Sequence, residues 1–155
     1  MPNTPALIGQ GISGLYARPA VTAAERTQVE ALLAPTGDVV WVEREVDLDA
    51  VTALSGSGPA YVFYFIEAMV AAAERMGLTA AQGKQLALAT FSGATELARR
   101  SDETPATLRE RVTSKGGTTY AALTAMNTAG MQDSFIAALQ AAQTRARELG
   151  DEFGG

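Results

Sequence analysis

Pro59-Ala-Tyr-Val-Phe-Tyr-Phe-Ile-Glu-Ala-Met-Val-Ala-Ala-Ala-Glu-Arg-Met-Gly77 is the stretch on which the fold turns. Proline is at home in a first helical turn, where its missing N–H costs nothing, and glycine beyond the last turn supplies the stop. The stretch predicts one long helix whose only charged side chains are Glu67, Glu74 and Arg75. Widening the window to Val51–Thr95 adds only Lys84, so four of 45 residues are charged there, against 19% of the whole chain. Helices so poor in charge are covered nearly all round, and a chain of this size holds too little protein to cover two of them. The pattern predicts an obligate, intertwined homo-oligomer. Its alternative is an alanine-rich bundle whose open face is merely small and uncharged.

Outward from this stretch the signals stay helical. Asp47 is placed to cap a helix over Leu48–Leu54, and Thr79 with Gln82 forms a capping box for a helix reaching about Ser101. Thr104-Pro105 opens a short helix to about Thr113, Thr118 caps another to Gly130, and Gln132–Leu149 is the last, with Gly150 behind it. Ahead of Asp47 the pattern changes. Residues 12–17 alternate as a strand ended by Arg18-Pro19, and Val39–Val42, with Trp41 read as a core residue, is β-branched and aromatic. Between them Thr22 and Glu25 make a capping box, Val29, Leu32 and Leu33 a stripe, and Pro35 with Gly37 a stop. The expected fold is mainly α: about six helices preceded by a short β-α-β segment.

Composition bounds the chemistry. The 155 residues, 47% hydrophobic, suit one globular domain hiding roughly 70% of its unfolded surface. The absence of cysteine and histidine excludes Cys/His zinc sites, Cys nucleophiles and Ser-His triads, and no metal site is expected. A net charge of −5 with scattered Lys and Arg speaks against a nucleic-acid surface. No leader segment is read at the N-terminus, and the apolar run Tyr61–Ala73 is shorter than the ~20 residues that span a bilayer, so a cytoplasmic protein with no membrane partner is expected.

Three glycine-containing segments are candidates for binding. Gly9-Gln10-Gly11-Ile12-Ser13-Gly14 matches a dinucleotide fingerprint in letters but lacks its context, because a strand follows where the fingerprint needs a helix. Ser55-Gly56-Ser57-Gly58-Pro59 runs into the long helix, and its hydroxyls suit either an anion site or simple caps and turns. Ser114-Lys115-Gly116-Gly117-Thr118-Thr119 runs into the helix expected to start at Thr118. Two glycines, three hydroxyls and a lysine ahead of a helix N-terminus favour an anion site there, for a carboxylate or phosphate.

The block Pro105-Ala-Thr-Leu-Arg-Glu-Arg-Val-Thr-Ser-Lys-Gly-Gly-Thr-Thr119, continuing through Ala122, Leu123, Met126 and Asn127, resembles the signature of the Δ1-pyrroline-5-carboxylate reductase family. Met1–Pro5, Leu54–Tyr61 and Arg145–Gly150 agree with it in order, so the resemblance covers essentially the whole chain. It implies the C-terminal part of an enzyme of proline biosynthesis that reduces 1-pyrroline-5-carboxylate to L-proline with NADPH or NADH. Residues 1–43 would be the end of a Rossmann domain whose nucleotide-binding half is absent, and residues 44–155 a helical dimerisation and substrate-binding domain. Carried over by position, Thr119 is the catalytic residue, bonding the ring nitrogen, while Ser114, Gly117, Thr118 and Thr119 hold the substrate. Asn3 and Thr4 would lie at the nicotinamide end of the cofactor. Lys115 departs from the family, which has proline there. The expected partners are the substrate and a second copy of the chain, interlocked as a homodimer or larger assembly. The chain alone is expected to be inactive; the alternative is a non-catalytic oligomerisation or binding module descended from that family.

Overall fold

The computed structural model describes residues 1–153, which fall into two compact units: Met1–Val62 together with the chain from Phe135 onward, and Phe63–Ser134.

In the first unit a 3-10 turn, Thr4–Ile8, leads into strand β1 (Gly11–Tyr16), helix α1 (Ala23–Leu33) and strand β2 (Gly37–Val42). The strands pair in parallel from Gly11 opposite Gly37 to Tyr16 opposite Val42. Pairing starts at Gly37 because its φ of 129° is open to glycine alone, and a β-carbon there would stand 2.0 Å from the Gly11 carbonyl oxygen. Helix α1 begins with the expected box: Thr22 N–H donates to Glu25 Oε2 at 2.7 Å, and Glu25 N–H to Thr22 Oγ1 at 3.3 Å. Both strands start earlier than the alternation suggested.

Helix α2 (Leu48–Val51) gives way to a π turn over Thr52–Gly56, so the single α-helix expected over Leu48–Leu54 is interrupted. Asp47 does not cap it. Its carboxylate turns back to accept from the Arg44 main-chain N–H at 3.2 Å and from Arg44 Nη2 at 2.5 Å, closing the turn ahead of α2. Trp41 is likewise no core residue: it is half-buried, donates from Nε1 to Glu30 Oε1 at 2.5 Å and lies under the Arg26 guanidinium.

Helix α3 (Gly58–Arg75) runs on into the second unit, which continues with α4 (Ala80–Arg99), α5 (Pro105–Arg111) and α6 (Thr118–Thr128). Gly77 stops α3 as expected, with the Leu78 N–H reaching back to the Ala73 carbonyl at 3.0 Å. Thr79 and Gln82 box the start of α4. The last helix, α7 (Met131–Phe153), carries Gly150 inside its final turns rather than behind them.

The chain exposes 11378 Å². An extended chain of 16.1 kDa exposes about 23,000 Å², so roughly half is hidden rather than the expected share. Among the described residues the only buried apolar side chains are the alanines Ala53, Ala73 and Ala87. Val62, Phe63, Tyr64 and Met69 on α3 and Leu86, Leu88 and Leu97 on α4 all stay exposed. A charge-poor helix surface left open in one chain is what the sequence pattern led us to expect of an oligomer.

Candidate functional site

The two glycine-rich loops end differently. At Ser55–Pro59 the backbone never opens, because the π turn passes almost directly into α3: Ser57 N–H donates to the Thr52 carbonyl at 2.9 Å and Ser55 Oγ to the Val51 carbonyl at 3.0 Å. The Ser57 N–H and the Ser55 hydroxyl, which could have faced an anion, are spent on the chain itself. Thr52 does the same, donating to Leu48 at 2.8 Å.

At Ser114–Thr119 the backbone does open. Helix α5 ends at Arg111, and Thr113 closes it by donating from Oγ1 to the Arg109 carbonyl at 2.6 Å. The next four residues make one turn, with Gly117 N–H on the Ser114 carbonyl at 3.0 Å. Gly116 stands at φ 76°, the left-handed conformation that the third position of such a turn requires. Thr118 does not cap α6 but is its first residue; Gly117 is the N-cap and offers no side chain. The first main-chain bond of the helix runs from Ala121 N–H to the Gly117 carbonyl at 3.1 Å. That leaves the N–H groups of Thr118, Thr119 and Tyr120 at a helix start with no side-chain acceptor. Among the described residues no hydrogen bond engages the hydroxyls of Ser114, Thr118 or Thr119. Ser114, Lys115 and Thr118 are exposed, whereas Gly117 and Thr119 are half-buried.

Physically this is a donor surface: amides at the positive end of a helix dipole, flanked by hydroxyls and one lysine. Beside it, α5 and α6 enclose a cleft of about 200 Å³ lined by Arg109, Glu110, Thr113, Tyr120, Leu123 and Asn127. Sequence reasoning had not singled this cleft out. The spacing of Tyr120, Leu123 and Asn127 along one helical face was the available signal.

Asn3 and Thr4 belong to the first unit, and the Ser114–Thr119 loop to the second. Asn3 precedes the 3-10 turn and uses its Oδ1 to accept from the Ile12 N–H at 3.0 Å, leaving its amide NH₂ as a donor; Thr4 is exposed. The Gly9–Gly14 stretch does not fit a dinucleotide. Gly9, at φ 69°, ends the 3-10 turn, β1 runs from Gly11, and no helix opens where a pyrophosphate would need one.

A parallel β-α-β segment leading into a charge-poor helical body whose apolar faces stay open defines an α-helical association domain. Residues 45–149 match the family model described as pyrroline-5-carboxylate reductase dimerisation, and the chain belongs to that family. It is 46% identical over 154 residues to pyrroline-5-carboxylate reductase of Pseudomonas aeruginosa, covering 99% of this chain and 56% of that one. With the enzyme of Corynebacterium melassecola the figures are 43%, 97% and 55%. The solved pyrroline-5-carboxylate reductase of Coxiella burnetii superposes with a TM-score of 0.93 at 40% identity, over 96% of this chain and 55% of that one. The Plasmodium falciparum pyrroline carboxylate reductase, solved with NADP bound, gives 0.89 at 31% identity over 97% and 61%. The chain therefore spans about half the length of the relatives it matches. Among the described residues no helix is long and apolar enough to cross a membrane.

Proposed function

We propose that this chain is the substrate-binding and dimerisation half of a cytoplasmic pyrroline-5-carboxylate reductase, with residues 1–43 completing a Rossmann domain and residues 44–155 forming the helical domain. The uncapped start of α6 carries the proposal: the amides of Thr118 and Thr119 and the free hydroxyl of Ser114 are suited to hold a carboxylate. Thr119 Oγ donates to the ring nitrogen of the imine and Gly117 lets the main chain approach it. A carboxylate handle and a donor on nitrogen together fix which ring carbon is presented for reduction. The hydride belongs to NADPH or NADH. Because the Gly9–Gly14 stretch does not fit the pyrophosphate, its delivery lies outside this chain, with Asn3 and Thr4 as the residues nearest the nicotinamide. Membership of a dimerisation family and the open faces of α3 and α4 support a homodimer.

The second candidate, a non-catalytic oligomerisation or binding module, draws on β1 occupying the place where a dinucleotide turn would need a helix. One assay separates the two: oxidation of NADPH or NADH with pyrroline-5-carboxylate, by this chain alone and after fusion to the N-terminal half of the P. aeruginosa relative. Turnover only in the fusion is expected. A folded, oligomeric fusion without turnover gives the silent module instead.

A further inference from the structure

Glu103 and Arg111 close on one another along the whole length of α5, Glu103 Oε1 pairing with Arg111 Nη2. Helix α5 is seven residues long, far short of the roughly 12 that an isolated helix needs, so its ends must be held from outside. Thr104 holds the first end, its Oγ1 accepting from Thr107 N–H at 3.2 Å. The second end is closed locally by Thr113, whose Oγ1 donates to the Arg109 carbonyl at 2.6 Å, and leads into the Ser114–Gly117 turn, in which two adjacent glycines bring the greatest backbone freedom in the region. Where that turn sits depends on where α5 delivers the chain. Glu103 is well placed to decide this. Its own N–H is tied to Ser101 Oγ at 3.1 Å, its side chain is 30% exposed, and its Oε2 is buried with no hydrogen-bond partner among the described residues. A carboxylate drawn that far from water leans on its guanidinium more than a fully solvated pair does.

We propose that Glu103 is a positioning residue for the Ser114–Thr119 loop: by holding Arg111 it fixes the end of α5 from which the turn starts, and so the direction in which the Thr118 and Thr119 amides point. This rests on the carboxylate-site proposal above for its function, though not for its geometry. The test is amide hydrogen exchange by NMR on the whole chain, comparing Gly117, bonded to Ser114, with Ala129, bonded to Ala125 at the far end of the same helix. Glu103→Gln is expected to speed exchange at Gly117 by about threefold or more with Ala129 unchanged. Arg111→Met, at a more exposed position, should do the same, and the reversal Glu103→Arg with Arg111→Glu should restore protection. Unchanged exchange at Gly117, or equal acceleration at both amides, overturns the proposal. An L-proline titration of the same samples separates the two levels. Amide shifts at Thr118 and Thr119 that weaken in Glu103→Gln support both. A parent chain that ignores proline while Gly117 still responds removes the carboxylate site and leaves the clamp standing.

Discussion

Gly14 lies against Val51 so closely that a β-carbon at residue 14 would come within 2.4 Å of Val51 Cγ1. The contact joins β1 to α2, and Gly14 also exchanges main-chain bonds with Met1, at 2.8 and 2.9 Å. Movement of Gly14 would therefore disturb the N-terminal segment as well. Gly14→Ala should lower the unfolding free energy by roughly 1–3 kcal/mol, the usual penalty for a side chain forced into filled space. Urea unfolding measures it, and an unchanged midpoint would mean that β1 and α2 can part at no cost.

Gly83 sets a second close approach, between α3 and α4. A β-carbon there would stand 2.7 Å from Ala73 Cβ and 3.2 Å from Val70 Cα. Two effects compete in Gly83→Ala: helix propensity favours alanine by about 1 kcal/mol, and overlap opposes it by about 1–3 kcal/mol. Overlap wins because the atoms met are a main-chain carbon and a β-carbon, neither of which can swing aside. The variant should melt at a lower temperature than the parent; a higher one would show that the helices slide apart freely.

The N-terminus of α1 is acid-sensitive. The main-chain N–H and the hydroxyl of Thr22 hold the Glu25 carboxyl below its ordinary value of 4.5. A depressed folded pKa means that stability is present above pH 4.5 and drains away as pH falls through the lower, folded value. Glu25→Gln removes the titrating group. The stability gap between parent and variant should be fully open above pH 4.5 and close as the pH falls through the lowered, folded value, as read by urea midpoints across an acid series. A gap that stays constant would remove Glu25 from the acid response.

Most of this fold is legible because its helices announce their ends locally: Thr22 with Glu25, Thr79 with Gln82, and Thr104 ahead of Pro105 each cap the helix they precede. What is not legible turns on competing local choices of similar quality. Asp47 carries the letters of a cap, but Arg44 offers its carboxylate a stronger bond. The π turn arises where Thr52 takes the Ser57 N–H, which no spacing rule signals. Thr118 reads as the cap of α6 because threonine is the better capping letter, but the turn closed by Gly117 N–H makes Gly117 the cap and Thr118 the first helical residue. The small number of buried side chains was foreshadowed by the charge-poor run, but the composition alone pointed the other way.

At the loop, Ser114 and Thr119 should fail in different ways in the fused, two-domain protein. Thr119→Ala removes a donor to the ring nitrogen and should cut turnover by about 10²-fold or more. Ser114→Ala removes a carboxylate partner and should mainly raise the KM for the imine and weaken proline binding. Steady-state kinetics separates the two, and a Ser114→Ala effect confined to kcat would rule out a carboxylate-holding role.

Phe63 is 60% exposed and Tyr64 69% exposed on α3, in a stretch of the helix with no charged residue before Glu67. Obligate interfaces resemble a domain core cut in half and bury apolar side chains of this kind. Phe63→Asp should therefore raise the dissociation constant for self-association by at least about thirtyfold, because a buried, unpaired carboxylate replaces an aromatic anchor. Thr27→Asp, on the exposed surface of α1, serves as the control and should leave association unchanged. Sedimentation equilibrium over a dilution series reads both. If Phe63→Asp associates as tightly as the parent, the cover on α3 is not centred on Phe63, and the open faces of Leu86 and Leu97 on α4 become the ones a second copy must close.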